Sequence, residues 1–486
     1  MQPEIRIIVR DMVCKIEAPH HIVQMLDEEL MVEHPGAKYM RMRNPSSDGF
    51  WHPVSVARKT FPTGLLAMVK KELPMHQIVD ERVRPATAPF NENMLTGITL
   101  AQHQKEAVQA ALDKGRGILA MSVNAGKTHV AMAIALHVAG RAVWMVHRKD
   151  LLYQVQEMIE QCCHTRAALF GDSCWDDVTE NTKFVVAMPQ TIGDRLDLFR
   201  ELVTGTNVLF IDEAHRGAAG KEYYKVCQSI PAYYRLGLSG TIDTEDPVRD
   251  LRIRAATGEP IYTIKSPDLQ AIGWSAPCEV VYHRTHNAPM LPGHNWDEAK
   301  KQLIVENPER NAEIVWLAME ASREGKPCLV ICDSLKHVRI ITELLRGEGI
   351  RVRQLTGKHA AATRIQARKD LACGALEVLV ASIILDEGVN LPELQVLVLG
   401  AGGKSSVRFT QRIGRLLRVH KSKQVAIIHD FIDTGSRYVL NHSIRRIITC
   451  QKEGFTIRNQ KEVEPYLKYA RMAVKPKPED EYGDDY

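Results

Sequence analysis

Gly126-Lys127-Thr128 closes the stretch MSVNAGKTHV, residues 121 to 130, which sits between two apolar runs. A glycine, a lysine and a hydroxyl in that order at the start of a helix are what a phosphate-binding loop requires. Backbone N–H groups converge on the anion, the ammonium reaches the β and γ phosphates, and the hydroxyl meets a magnesium ion. The glycines that usually precede this tail are missing, and Met121 and Asn124 stand in their places. Asparagine is among the few residues that visit positive φ cheaply, so Asn124 still lets the loop close. A plain strand-to-helix turn is the competing reading of the tail taken alone.

The second group is NVLFIDEAHRG, residues 207 to 217, an apolar run that ends in Asp212-Glu213-Ala214-His215. Read as a buried strand, it places two carboxylates at the carboxyl edge of a sheet, where ligands of open α/β sheets bind. Asp212 is then placed to hold Mg2+ through water, and Glu213 to orient or deprotonate the attacking water. The third group is QRIGRLLR, residues 411 to 418, whose arginines recur every third residue and share nearly one helical face. Such a row suits phosphate oxygens, although a solvated basic face has the same pattern.

The elements that must position these groups follow a rhythm. From about residue 115, GILAMSV, RAVWMVH, KFVVAM, NVLFID and YRLGLSG alternate with helical patterns. A second set, PCLVIC, VRQLTG, LEVLVAS, QVLVLGAG and QVAIIHDF, begins near residue 326. Each set reads as a parallel sheet with crossover helices. Residues 262 to 310, rich in Pro, Gly, His and Asn, read as a linker leading into a helix. Residues 1 to about 95 lack the rhythm and read as a small α+β domain, with strands over EIRIIV and MVCKIEA and a helix over PHHIVQMLDEEL.

Composition sets the limits. With 486 residues, 45% hydrophobic and 25% charged, the chain is globular and long enough for two to four domains. No window of 18 apolar residues and no signal-peptide order is present, which points to a soluble protein of the cytoplasm that does not engage membranes. Ten scattered cysteines without a CxxC pair argue against zinc and redox chemistry. A net charge of +4 is too small to imply nucleic acid by itself, but Lys404 to Lys461 holds 13 Lys/Arg against three acids, which predicts a basic face.

FIDEAH with AGKT resembles the DEAH-box signature of superfamily 2 helicases and translocases, and the resemblance continues in order over most of residues 96 to 420. TLAQHQKEAV is similar to the segment ahead of the phosphate loop, with Gln104 in the place of the glutamine that reads adenine and Ala101 in the place of a nearby arginine. VWMVHRKDLLYQ resembles motif Ia, VVAMPQTI motif Ib, LGLSGT motif III, LVASIILDEGVNLP motif V and QRIGRLLR motif VI. Two departures stand out: Asn390 replaces the usual Asp of motif V, and Met188 the usual Thr of motif Ib. The small leading domain and NPERNAEI bring the chain nearest to the phage UvsW-like group and its XPB-like relatives.

The resemblance implies two tandem RecA-like parallel-sheet lobes behind the small domain: residues 1–95 for DNA recognition, 96–265 for lobe one, 266–440 for lobe two, and 441–486 as an extension with a flexible acidic tail. It implies ATP and Mg2+ as cofactors. Lys127, Asp212, Glu213, Arg415 and Arg418 would be catalytic, the two arginines as fingers on the γ-phosphate. Gln104, Asn124, Ala125, Gly126, Lys127, Thr128, Gly388, Asn390 and Gln411 would hold ATP, with Thr128 and Asp212 on the Mg2+. His215, Ser239 and Thr241 would couple hydrolysis to movement, and Arg148, Gln190, Thr356, Gly357 and Ser382 would touch the nucleic-acid backbone, contacts that carry no sequence information. In the small domain Arg41, Arg43 and Trp51 are further contacts, with interdomain packing as the competing role. The expected protein is a monomeric ATP-dependent helicase or translocase on duplex, forked or branched DNA with single-stranded regions. An RNA helicase, and a nucleotide-regulated DNA clamp with weak hydrolysis, are the alternatives.

Overall fold

The computed structural model describes residues 5–73, 75–214, 220–240, 246–286, 289–290, 293–357, 359, 361–382, 394–403 and 425–472. They form two compact units, the first running to Ile264 and the second beginning at Lys265, and each is taken by itself.

The amino-terminal part of the first unit contains β1 (Arg6–Val9), β2 (Val13–Glu17), β3 (Val32–Glu33), β4 (Phe50–Trp51), β5 (Thr60–Pro62) and β6 (Gln77–Asp80). Four of them make a sheet in the order β5-β2-β1-β6. In β2 the sequence alternates, so Cys14 and Ile16 turn inward while Val13 and Lys15 face out. The helix His20–Leu30 lays Val23, Leu26 and Leu30, spaced by three and four, on the same core as Ile7, Val9, Cys14 and Ile16. That core also includes Leu251 and Ala255 of the helix Pro247–Thr257, which belongs to the larger sheet's layer. At Gly64 the approach is so close that a Cβ would lie 2.1 Å from the Arg254 carbonyl oxygen. The small domain therefore shares its apolar interior with the layer beside it.

The larger sheet of this unit is built from β7 (Arg116–Met121), β8 (Arg141–Met145), β9 (Ala168–Gly171), β10 (Cys174–Trp175), β11 (Phe184–Ala187), β12 (Thr206–Asp212), β13 (Tyr234–Ser239) and β14 (Pro260–Ile264). Their order is β10-β9-β11-β8-β12-β13-β7-β14, and every neighbouring pair is parallel except β9 with β10. Both faces are covered by helices, which is why β8, β11 and β13 read as unbroken buried runs.

The second unit has β15 (Cys278–Arg284), β16 (Cys328–Cys332), β17 (Val352–Leu355), β18 (Val378–Ser382), β19 (Val396–Leu399), β20 (Ala426–Ile432) and β21 (Thr456–Ile457). They form one parallel sheet in the order β17-β18-β16-β19-β20-β15-β21.

Three expectations change. The stretch read as a linker holds a seven-residue strand: β15 lies between β20 and β21, and its alternating CEVVYHR was masked by the turn-rich residues after it. The extension, expected to be flexible beyond a helical pattern over SIRRIITCQKEG, adds β21 and the helix Gln460–Met472, whose Val463 and Leu467 enter the core. The basic surplus of residues 404 to 461 is also not all surface. Arg446 is 2% exposed and donates through Nε to Asp430 Oδ2 at 2.9 Å and through Nη1 to the Gly403 carbonyl at 3.1 Å. Arg310 is likewise inside, donating to Asp433 Oδ1 at 2.7 Å and to the Gly400 carbonyl at 2.6 Å. A buried guanidinium needs such a set of acceptors, since desolvation would otherwise expel the charge.

Candidate nucleotide site and nucleic-acid edge

β7 runs into the loop 121–126, and the helix Lys127–His137 leaves from it. Asn124 has φ 75° and Gly126 φ 83°, so two residues of the loop take the left-handed conformation and only one of them is glycine. The asparagine thus supplies the turn for which the sequence has no glycine. Lys127 and Thr128 are the first two residues of the helix, at the end whose free N–H groups favour an anion. Lys127 Nζ donates to the Met121 carbonyl at 3.1 Å.

β12 and β7 flank β13, and Asp212, Leu238 and Leu119 are in register across the three strands. The carboxylate and the loop therefore belong to the same sheet edge, two strand spacings or about 10 Å of backbone apart. Asp212 Oδ1 accepts the N–H of Glu213 at 2.9 Å, and Glu213 itself sits at φ 44°, which is uncommon for a residue with a Cβ. Burial raises the Asp212 carboxyl to about 7, the Glu213 carboxylate adds to the rise, and the Lys127 ammonium opposes it. Among the described residues no group of three or more His, Cys, Asp or Glu could hold a metal ion unaided. A cation at Asp212 would thus take most of its ligands from phosphate and water, as Mg2+ does with nucleotides.

Ser239 ends β13, between the two strands, and is 2% exposed. Beyond β12 the same edge carries Arg148, three residues after the end of β8, and Gln190, three residues after the end of β11. Gln190 Nε2 donates to the His147 carbonyl at 3.4 Å, and Arg148 meets Asp150 at 3.1 Å. Gln190, Arg148, Asp212 and the phosphate loop thus follow one another along a single sheet edge.

In the second unit Leu355 and Ala381 are paired, so Thr356 and Ser382 leave adjacent strands side by side. Thr356 Oγ1 lies 3.0 Å from His359 Nδ1, with Gly357 between them in sequence. The Ser382 hydroxyl is buried without a hydrogen-bond partner among the described residues. Thr356, Gly357 and Ser382 are therefore brought together.

Of the three expected contact residues in the small domain, Arg41 and Arg43 are exposed and Trp51 is half-buried. Arg41 donates to Glu33 at 3.0 Å and to the Asp48 carbonyl at 2.8 Å, and Trp51 packs edge-on to Tyr224 with Arg252 over its ring at 5.5 Å. Arg43 is exposed at the end of the helix Ala37–Arg43. Sequence reasoning missed His103, whose Nε2 reaches the Ala125 carbonyl; nothing in its neighbourhood in the sequence marks it. His215, Thr241, Gly388, Asn390, Gln411, Arg415 and Arg418 lie outside the described residues.

A parallel sheet with a phosphate loop after one strand and an acidic pair after another defines a P-loop ATPase of RecA-like fold, and a second parallel sheet follows it in the same chain. A family described as the type III restriction enzyme res subunit matches residues 97–244, and the helicase conserved C-terminal domain matches residues 309–420. The chain belongs to the superfamily 2 helicases, which are ATP-hydrolysing enzymes.

Helicase 22 of Sulfolobus islandicus filamentous virus is 25% identical over 367 residues, 70% of this chain and 64% of the relative, so the match leaves about a third of that relative uncovered. An ATP-dependent RNA helicase of Acanthamoeba polyphaga mimivirus is 25% identical over 391 residues, 76% of this chain and 71% of the relative. The ATP-dependent DNA helicase uvsW of Enterobacteria phage T4 is 24% identical over 383 residues, 73% of this chain and 75% of the relative. Among solved structures, the ATP-dependent type ISP restriction-modification enzyme LlaBIII bound to DNA has a TM-score of 0.54 at 14% identity. It covers 79% of this chain and 34% of that one, a likeness of fold. No described helix is long and apolar enough to cross a membrane.

Proposed function

We propose that this chain is an ATP-dependent DNA helicase or translocase that remodels duplex, forked or branched DNA in replication, recombination or repair. The observation that carries the reading is the single sheet edge on which Lys127, Asp212 and Glu213 stand next to Arg148 and Gln190. A change at the phosphate loop can be passed to a nucleic-acid strand through β13 and Ser239 without crossing the sheet. In this reading Thr128 and Asp212 hold the Mg2+ of Mg-ATP, and the ion neutralises charge on the β and γ phosphates. Glu213 takes the proton of the attacking water, and Arg415 and Arg418 stabilise the transferring phosphoryl group. Thr356, Gly357 and Ser382 are contacts to sugar and phosphate, so movement is indifferent to base sequence.

Similarity to uvsW of phage T4 supports DNA, and similarity to the mimivirus RNA helicase at comparable identity favours RNA as the second reading. ATP hydrolysis measured in parallel without nucleic acid and with single-stranded DNA, forked DNA and RNA separates them. Stimulation by DNA, greatest on the fork, is the expected result. Stimulation by RNA alone would assign the second reading, and tight DNA binding without hydrolysis would leave a nucleotide-regulated clamp.

A further inference from the structure

His52, which follows β4 directly, holds a carboxylate on each side of its ring. Nδ1 lies 2.7 Å from Asp27 Oδ2, on the helix His20–Leu30, and Nε2 lies 2.6 Å from Asp48 Oδ2, in the turn 44–49 that leads into β4. A carboxylate only accepts, so both ring nitrogens must donate, and the imidazolium alone carries two N–H groups. Burial opposes the charge, but the hydrogen bonds to Asp48 and Asp27 outweigh it and raise the His52 pKa above its ordinary 6.5. In return the Phe50 N–H and the His52 ring hold the Asp48 carboxyl below the usual carboxylate range. The charged groups facing the ring are those two carboxylates, one from each element packed against it. The turn itself is drawn tight. Asp48 Oδ1 accepts the Phe50 N–H at 3.0 Å, and the Asp48 carbonyl accepts Arg41 Nε at 2.8 Å. Gly49, at φ 79°, lies so near the helix Ala37–Arg43 that a Cβ there would sit 2.7 Å from Ala37 Cβ. One ring thus ties the turn that carries these contacts to a second helix.

We propose that His52 is a pH-operated latch: protonated, it pins the turn 44–49 to the helix His20–Leu30, and neutral, it keeps Asp27 and releases Asp48. A neutral imidazole has one N–H and one lone pair, and a lone pair that close to a carboxylate is repelled. Which contact breaks is decided by water. The Asp27 side chain is 12% exposed and its Oδ1 is already without a hydrogen-bond partner among the described residues, whereas the Asp48 side chain is 58% exposed. Water can replace the ring at Asp48 but not at Asp27, so the proton stays on Nδ1. The sign follows from the raised pKa: the latch is shut below about 6.5 and opens as the pH rises through the folded value, opposite to the dependence of a histidine buried in its neutral form. Opening loosens the hold of the Asp48 carbonyl on Arg41, whose other partner is Glu33 at 3.0 Å. The latch acts on the basic end of the helix Ala37–Arg43, and it stands whether or not that helix meets nucleic acid.

The test is made on the full chain with isotope-labelled histidine. The ring nitrogen signals of His52, assigned by their loss in His52→Gln, are expected to titrate above 6.5, from an imidazolium to a neutral ring protonated on Nδ1. Hydrogen exchange of residues 44–51, normalised to the unstructured rate at each pH, should speed up by roughly two- to fivefold across that transition, the range of a half-exposed ion pair. His52→Gln cannot donate to both carboxylates at any pH and should exchange like the open state throughout. Asp48→Asn keeps the acceptor for the Phe50 N–H and should move the His52 titration down. A wild-type His52 that titrates at or below 6.5, a neutral ring protonated on Nε2, or exchange in the turn that is the same on both sides of the transition would each overturn the proposal. So would an unchanged pH dependence of exchange in His52→Gln. If a thermal melt shows that His52→Gln does not fold, the wild-type titration and Asp48→Asn decide the matter.

Discussion

Lys127 donates its ammonium to the carbonyl oxygen of Met121 at 3.1 Å, folding back over the first residue of its own loop. A nucleotide must draw that ammonium away to its β and γ phosphates. Lys127→Ala removes the charge, and the Asp212 carboxyl, already raised to about 7, can take up a proton in compensation, so hydrolysis should vanish while the melting temperature stays within a few degrees of wild type. A phosphate-release assay beside a thermal melt checks both halves, and near-normal hydrolysis would refute the loop assignment.

Glu213 follows Asp212 with its backbone at φ 44° and its N–H on the Asp212 carboxylate. Glu213→Gln keeps the shape and the backbone bond but removes the group that can take a proton. Single-turnover hydrolysis should fall by roughly 10²- to 10⁴-fold, the usual share of general-base catalysis, while Mg-ATP still binds. Loss of binding instead would make Glu213 a structural residue.

Arg415 and Arg418, in the motif VI pattern, are assigned to the γ-phosphate by resemblance. Replacing either with Ala should lower kcat by roughly 10³-fold or more if they act as arginine fingers. Unchanged kcat with weaker DNA binding would place them on a basic surface.

In the small domain, Trp51 and Arg43 should part company. Trp51 packs on Tyr224 beneath Arg252, so Trp51→Ala should cost about 1–3 kcal/mol of stability, measured by urea unfolding. Arg43 is exposed, so Arg43→Ala should leave stability alone and lower the salt dependence of DNA binding by about one phosphate contact. A chain beginning near Asn93 would uncover Leu251 and Ala255 and should melt at a lower temperature than the full chain.

The second unit should weaken in mild acid. His337 is 0% exposed, and burial, with Arg310 adding, lowers its pKa to about 3. Between about 6.5, its unfolded value, and 3, the unfolded chain takes up a proton that the folded one refuses. This contribution to stability is intact above pH 6.5 and falls by about 1.4 kcal/mol per pH unit below it. Urea unfolding at pH 7 and pH 5.5 measures the slope, which His337→Asn should reduce but not abolish, because burial also lowers His429 to about 3.

Residue type and spacing were enough to place the phosphate loop, the acidic pair and the two sets of strands. Those features are local: a buried parallel strand must be a short apolar run, and a loop that cradles phosphate must turn through positive φ, which Asn124 and Gly126 provide. The strand β15 escaped because an alternating seven-residue segment between turn-rich neighbours carries little local signal and exists only through β20 and β21. The burial of Arg446 within the basic stretch, and the packing of Trp51 on Tyr224, escaped for the same reason. Charge and aromaticity are written in the chain, but whether a side chain meets solvent, Asp430 or Tyr224 depends on segments far away in sequence. The role of Gln104 divides along that line. Its place ahead of the loop is legible in TLAQHQKEAV, whereas the hydrogen bond that commits its amide to Ala125 forms only when the helix Gln102–Lys114 packs beside the loop, and packing is what the tertiary structure alone decides.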